Sequence, residues 1–268
     1  MTGTNRADAV SAWRDRARYD RLLDFDRATW AWEWLRRTLD PEPGLPRRAS
    51  WTMLRARPPL CVLTLGRRAC GCVLPLGPLS GLADFAGHVC WCADPIGPVL
   101  TVDARSARRG AADLFDLHAL HHPAIVLRHR EGGEHVLIAD GPRCIRITVR
   151  KGTLLAGPVQ LDYHLSGGGP LDTRILTLRR LTALRRLGRF PRTLFPPERR
   201  ARRWAMALQA WDGRRAGASH REIACVLHGD VLVREQWLGR SDHLRTHIKR
   251  LLRTADMLIG GGWRHLLR

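Results

Sequence analysis

Residues 219–230 read SHREIACVLHGD and residues 241–253 read SDHLRTHIKRLLR, and each stretch opens with a residue that favours the start of a helix. In the first, Ser219 precedes Glu222 by three positions, which is the spacing of a capping box. Apolar residues then share one helical face, at Ile223, Val226 and Leu227. Because Gly229 follows, the pattern predicts a short helix of about three turns.

The second stretch predicts a longer helix with one apolar and one cationic face. Ser241 is its expected N-cap, and apolar residues continue at three- and four-residue spacing from Leu244 to Ile259. The opposite face carries cations at i, i+4 and i+8, namely Arg245, Lys249 and Arg253. Three consecutive glycines, Gly260 to Gly262, are expected to end the helix.

A capped short helix followed by a longer basic helix is the order of a helix-turn-helix, in which the second helix enters the major groove of DNA. Roughly a dozen residues separate the two helices here, whereas a compact turn has about three or four. The alternative is therefore a small helical bundle whose arginines are only solvated.

The charge distribution indicates a polyanionic partner. The chain of 268 residues has a formal net charge of +20, and residues 174–268 hold 22 Arg and Lys against 7 Asp and Glu. Only Lys151 and Lys249 are lysines. GC-rich coding favours arginine throughout a chain, but it does not concentrate arginine in one third of it. A field of this sign attracts nucleic acid first and an acidic membrane surface second.

The rest of the chain predicts an α+β protein with three parts. Residues 1–40 are expected to form an N-terminal helical module, with Asp26 as an N-cap inside the helical stretch 11–39. Residues 41–170 form a β-containing middle region, and residues 171–268 form the helical, helix-turn-helix-like DNA-binding domain. The strands of the middle region are predicted at residues 59–66, 134–149 (two strands around a turn) and 159–165. The segment 69–123 shows little periodicity, and the sequence assigns no role to residues 66–123.

Three longer segments resemble a known family. Residues 178–229, LRRLTALRRLGRFPRTLFPPERRARRWAMALQAWDGRRAGASHREIACVLHG, and residues 241–267, SDHLRTHIKRLLRTADMLIGGGWRHLL, resemble the RovC-like DNA-binding domain of proteobacterial transcription regulators. Residues 13–37, WRDRARYDRLLDFDRATWAWEWLRR, are similar to the small regulator-like domain found ahead of it. Proteins that join these parts include activators of integrative and conjugative elements. The resemblance implies a sequence-specific DNA-binding activator of mobile-element or accessory operons.

The basic C-terminal helices supply the candidate DNA contacts. Five arginines on or near the short helix and the helix before it are expected to hold phosphates: Arg202, Arg203, Arg214, Arg215 and Arg221. Ser219 is a further candidate DNA contact. The long helix is expected to lie along the groove through Arg245, Lys249 and Arg253, with His243 and Thr246 as base readers.

Two other clusters are candidate metal sites. The pairs Cys70-x-Cys72 and Cys90-x-Cys92 supply four thiols, but zinc ligands normally have two to four residues between them, so buried free thiols are favoured over zinc. The group Asp116, His118, His121 and His122 lacks the glutamate of a zinc-protease helix, which favours solvated or core histidines. We expect no metal.

No Walker loop or nucleophile elbow occurs in the sequence, so we expect neither an enzyme nor a cofactor. The seven cysteines, an odd number, and the absence of a long apolar run predict a cytoplasmic protein without a membrane partner. The rival function is a non-enzymatic adaptor that holds a protein partner on its N-terminal aromatic helix, at Trp30 and Trp34. The sequence is also compatible with a homo-oligomer.

Overall fold

A computed structural model describes residues 12–39, 50–65, 73–75, 89–91, 98–107, 113–129, 132–165, 171–237 and 243–267. These residues pack into two compact units. The helical unit comprises the described residues of Met1–Thr38 and Pro197–Leu266, and the sheet unit those of Leu39–Pro196. Helices and strands both contribute, which confirms the α+β class. The three-part division of the sequence stays a prediction about domain boundaries.

The described strands of the sheet unit are β1 (Ser50–Ala56), β2 (Pro59–Leu65), β3 (Val73–Pro75), β4 (Val89–Trp91), β5 (Val99–Ser106), β6 (Ala124–His129), β7 (Glu134–Asp140), β8 (Arg143–Lys151) and β9 (Val159–His164). Seven of them form a mixed β-sheet with the strand order β1-β2-β6-β7-β8-β5-β9. Strands β2 and β6, and strands β5 and β8, pair in parallel, and the other neighbours are antiparallel. A separate short ladder joins β3 and β4.

The sheet is covered by helix α3 (Leu171–Leu187), which is numbered by its place along the chain, after the two helices of the N-terminal segment. Its Leu181 and Leu184 are buried in one core with Leu100 of β5 and Ile147 of β8. This packing follows from the amphipathic character of the helix, because a single apolar stripe along a helix is enough to cover one face of a sheet. The helix ends before Gly188, whose φ of 62° is a conformation that glycine adopts readily after the last turn of a helix.

The helical unit contains two short N-terminal helices and four C-terminal ones. They are α1 (Ala17–Asp20), α2 (Arg27–Leu35), α4 (Ala201–Arg215), α5 (His220–His228), α6 (Asp230–Gln236) and α7 (His243–Ile259). Turns of 3-10 helix follow at Arg36–Thr38 and Gly262–Leu267. The predicted N-cap of α2 is confirmed, because the Thr29 N–H donates to Asp26 Oδ1 at 2.8 Å.

The N-terminal segment completes the core of the C-terminal helices. Trp30 and Trp34 of α2 are 0% exposed, their rings stack with centroids 6.1 Å apart, and Trp204 of α4 meets Trp30 edge-on at 5.5 Å. The expectation of a partner-binding surface at Trp30 and Trp34 is therefore wrong, because both indole rings are buried by packing within the unit. Trp32, on the other side of α2, is buried as well.

Most predicted elements of the middle region are confirmed, and several strands were missed. The predicted strands correspond to β2, the β7–β8 hairpin and β9, whereas β1, β3, β4, β5 and β6 lie outside the predicted strands. The histidines of the 116–122 cluster do not gather on a helix. Instead, the rings of His118 and His122 donate from Nε2 to the carbonyl oxygens of Leu155 (3.1 Å) and Gly188 (3.0 Å).

The cysteine prediction lies largely outside the described residues. Cys70, Cys72 and Cys92 are not among them, and only the backbone of Cys90 is described, in β4. The described thiols of Cys61 and Cys144 are buried and free. Within the described part of the chain, no group of three or more His, Cys, Asp or Glu could hold a metal ion. No described helix is long and apolar enough to cross a membrane.

Candidate nucleic-acid interface

The capping box at the start of α5 is formed as predicted. The Glu222 N–H donates to Ser219 Oγ at 3.2 Å, and the Ser219 N–H donates to Glu222 Oε2 at 2.8 Å. The bond from the Ser219 backbone holds the pKa of Glu222 below its ordinary value. The helix begins at a defined residue because two backbone donors that would otherwise be orphaned have partners. Ile223 and Ala224 turn inward and are fully buried.

A second short helix, α6, lies in what the sequence suggested was only a connection. It begins immediately after Gly229, whose φ of 91° is a backbone conformation that glycine adopts without strain. Only Val233 of this seven-residue helix is buried. Val231 is 69% exposed. Seven residues show too few turns for periodicity to indicate a helix, which explains why α6 was missed.

Helix α7 has a continuous buried face and a polar outer face. The buried residues are Leu244, Ile248, Leu251, Leu252, Ala255 and Leu258. Lys249, Arg250 and Arg253 are exposed. The helix ends at Ile259, before the predicted glycines. Its expected N-cap, Ser241, lies outside the described residues. The outer face of α7 therefore presents three cations to solvent.

Arg245 does not share the exposed face of α7 with Lys249 and Arg253, contrary to the prediction. Its Nη2 donates to the carbonyl oxygen of Trp237 at 2.8 Å, and its guanidinium lies 5.8 Å from the centre of the Trp237 ring. Eight residues of α-helix rotate by roughly 80° beyond two full turns. Arg245 and Arg253 consequently point in different directions, and Arg245 is half-buried beside the end of α6 while Lys249 and Arg253 are exposed.

The predicted phosphate contacts on α4 differ in whether their side chains bond to α7. Arg202 is exposed, and Arg203 donates to Thr254 Oγ1 of α7 at 3.4 Å. Arg214 forms an ion pair with Asp256 of α7, in which Nη1 donates to Oδ2 at 3.1 Å. The carboxylate of Asp256 thus neutralises the charge of Arg214, one of the predicted phosphate contacts, and links the end of α4 to α7.

Arg215 and Arg221 complete the set of predicted phosphate contacts. Both are exposed. Arg215 donates from Nη1 to the carbonyl oxygen of Arg37 at 3.0 Å, and its guanidinium lies 5.4 Å from the Trp211 ring centre. Arg221 lies in the first turn of α5, two residues after the N-cap Ser219.

Three histidines gather between the end of α5 and the start of α7. The rings of His228 and His247 are 5.3 Å apart, and those of His243 and His247 are stacked at 6.5 Å. Burial, followed by the charges of the neighbouring histidines, lowers the pKa of His228. Burial also lowers the pKa of His247, with further contributions from His243, Arg203 and Arg250.

Of the predicted base readers, His243 is exposed at the start of α7 and Thr246 is half-buried one turn later. The fold thus places the exposed side chains of His243, Lys249, Arg250 and Arg253 along one helix. Arg250 is not among the predicted contacts, although its position beside Lys249 on the outer face was a usable signal. Such a surface can donate hydrogen bonds to phosphates and to base edges.

Comparison with known families agrees with this geometry. Residues 168–268 match the RovC DNA-binding domain, described as a T6SS transcription factor DNA-binding domain. The match covers α3 and all of α4 to α7. No curated protein matches the chain. Residues 168–268 are therefore similar to the RovC transcription-factor DNA-binding domain, and this match supports a DNA-binding regulator.

Proposed function

We propose that the protein binds specific DNA sequences and activates transcription of accessory or mobile-element operons. The observation that supports this proposal best is the two-faced character of α7. Its inner face is entirely committed to the core, and its outer face exposes Lys249, Arg250 and Arg253 within the family-matched region. A helix of this kind fits the major groove of duplex DNA.

In this proposal α5 and α7 act as the two helices of a helix-turn-helix, and α6 is an insertion between them. The two helices pack against each other, and α7 also packs along α4. The capped start of α5 carries Arg221, which would approach phosphates while α7 enters the groove. The insertion accounts for the long connection that separates the pair in the sequence.

The contacts divide into positioning and reading roles. Lys249 and Arg253 would lie along the walls of the groove. Six residues would bind the phosphate backbone of the DNA: Arg202, Arg203, Arg214, Arg215, Ser219 and Arg221. His243 and Thr246, near the start of α7, would meet base edges. Arg245 has a supporting role here, because its bond to Trp237 fixes the end of α6 beside α7.

Selection of genomic fragments by the full chain tests sequence specificity. The expected result is enrichment of a few fragments that lie upstream of operons and share a motif. The double variant His243→Ala/Thr246→Ala should still shift DNA but lose the preference for that motif. A reporter gene placed behind an enriched fragment should be expressed more strongly with the wild-type protein than with this variant.

The adaptor alternative makes the opposite prediction. It requires that the chain retain no genomic fragment at physiological salt, and that its reporter output not depend on α7. Trp30 and Trp34, which the adaptor would use to hold its protein partner, are buried within the helical unit and are not available to a partner.

A further inference from the structure

The helical unit contains a cavity that shares only Arg215 with the proposed DNA contacts. Its volume is about 490 Å³, and it is walled by the N-terminal segment on one side and the last turn of α4 on the other. Cavities of roughly 300–1,000 Å³ accommodate small organic ligands. We propose that this cavity binds a small organic polyanion, recognised through carboxylate or phosphate groups.

The charge of the cavity wall indicates the class of ligand. Five arginines line it, Arg18, Arg21, Arg36, Arg37 and Arg215, against two carboxylates. The carboxylates are those of Glu33 and Asp212, and they are already bonded to Arg36 and Arg37. An anion that enters the cavity therefore meets a surplus of positive charge that nothing inside the wall offsets.

Three of these guanidinium groups have donors to offer. Among the described residues, Arg18, Arg21 and Arg215 have no ion pair with a carboxylate. Arg21 uses its Nε in a bond to the Arg18 carbonyl oxygen, at 3.1 Å, and Arg215 uses Nη1 in its bond to Arg37. Because a guanidinium has five N–H donors, each retains donors for a carboxylate or a phosphate, which it can bind in a bidentate manner.

A rigid floor holds the cavity open. Asp212 accepts from both Arg37 and the Tyr19 hydroxyl, the latter at 2.8 Å. Trp13 lies against Gly213 of α4, where a Cβ atom would come within 2.8 Å of the indole ring. A floor fixed in this way reduces the ordering that a ligand must impose on the protein, which favours binding.

Calorimetric titration of the full chain, in the absence of DNA, tests the proposal. The probes are citrate and pyrophosphate, each compared with sodium chloride at equal ionic strength, so that carboxylate and phosphate recognition are distinguished. At least one probe should bind saturably with one site per chain. The double variant Arg18→Gln/Arg21→Gln should weaken that binding by about tenfold or more, since each change removes charge-assisted donors.

The matched control is Arg150→Gln/Arg186→Gln, which removes the same charge from exposed positions of the sheet unit. It should bind the probe as the wild-type chain does. The proposal fails if neither probe binds saturably, or if both double variants lose affinity equally, which would indicate diffuse attraction to a basic protein. Fragment selection by Arg18→Gln/Arg21→Gln is measured in parallel, so failure of the ligand site is distinguishable from failure of DNA binding.

Discussion

Arg37 and Asp212, which are 175 positions apart in the chain, form a bidentate pair in which Nε donates to Oδ1 and Nη2 to Oδ2, both at 2.8 Å. Arg37 also donates to Glu33 Oε2 at 3.0 Å. Burial opposes the charges of Arg37 and Glu33, but the bonds to Asp212 and Glu33 raise the pKa of Arg37, and Arg36 and Arg37 hold the pKa of Glu33 below its ordinary value. This network joins the N-terminal segment to the DNA-binding helices.

The first prediction concerns that network. Arg37→Lys retains the charge but cannot form the two-pronged contact, and we expect it to lower the free energy of unfolding by about 2 kcal/mol in urea titrations. Arg16→Gln, which breaks the exposed Arg16–Asp20 pair, is the control and should change stability by less than about 0.5 kcal/mol. Equal effects of the two variants would show that the Arg37 network adds nothing beyond a surface pair.

A second prediction concerns the dependence of the C-terminal helices on residues 12–38. The polypeptide 168–268 matches the family but lacks the buried Trp13, Trp30 and Trp34, so we expect it not to unfold cooperatively. Residues 1–38 joined through a flexible linker of about 20 residues to residues 197–268 should unfold in a single transition. Cooperative thermal unfolding of both polypeptides, followed by near-UV circular dichroism, would refute the dependence.

The third prediction concerns Gly213, where we expect alanine to destabilise the helix instead of stabilising it. Alanine normally stabilises a helix relative to glycine by roughly 1 kcal/mol, but at position 213 its Cβ would meet the Trp13 ring. Gly213→Ala alone should therefore destabilise the protein by about 1–3 kcal/mol.

The matched background for this change is Trp13→Leu, which removes the ring. In that background Gly213→Ala should be neutral or stabilising, and the double-mutant cycle should show coupling of about 1 kcal/mol or more. Additive effects would mean that the close approach of Gly213 and Trp13 does not govern the choice of glycine.

The fourth prediction is a loss of stability in acid from the histidine cluster. Folding lowers the pKa of His228 and His247 below their ordinary value near 6.5, so the unfolded chain binds more protons as the pH falls below about 6.5. The unfolding temperature should consequently decrease from pH 7.5 to pH 5.5.

His247→Gln should reduce this decrease, because it removes one shifted group and relieves its neighbour His228. His121→Gln replaces an exposed histidine of the sheet unit and is the control for loss of an imidazole. A pH dependence that is identical in wild type and His247→Gln would exclude the cluster as its source.

The helices and their caps were largely predictable because their signals are local. Ser219 and Glu222 lie three positions apart, and their reciprocal bonds require nothing beyond that spacing. The packing of α3 on the sheet, by contrast, depends on strands that are distant in sequence. Strand β6 begins with a short, evenly apolar run, whereas β5 alternates apolar and polar residues from Leu100 to Arg105, which was a usable signal.

The site was predictable in composition but not in detail. Helical periodicity places Lys249 and Arg253 outward, but it contains no information about Trp237, which draws Arg245 to the side of α6. Likewise, nothing near Arg214 in the sequence indicates its pairing with Asp256. The burial of Trp30 and Trp34 depends on helices that begin more than 160 positions later.

The measurement that tests the central claim most directly is the salt dependence of DNA affinity, recorded for the full chain on an enriched duplex. Each phosphate contact contributes roughly 0.9 to the slope of log affinity against log salt. We expect Lys249→Gln and Arg253→Gln each to reduce the slope by about 1, and Arg150→Gln in the sheet unit to leave it unaltered. Slopes that are the same in all four proteins would contradict the placement of α7 on DNA.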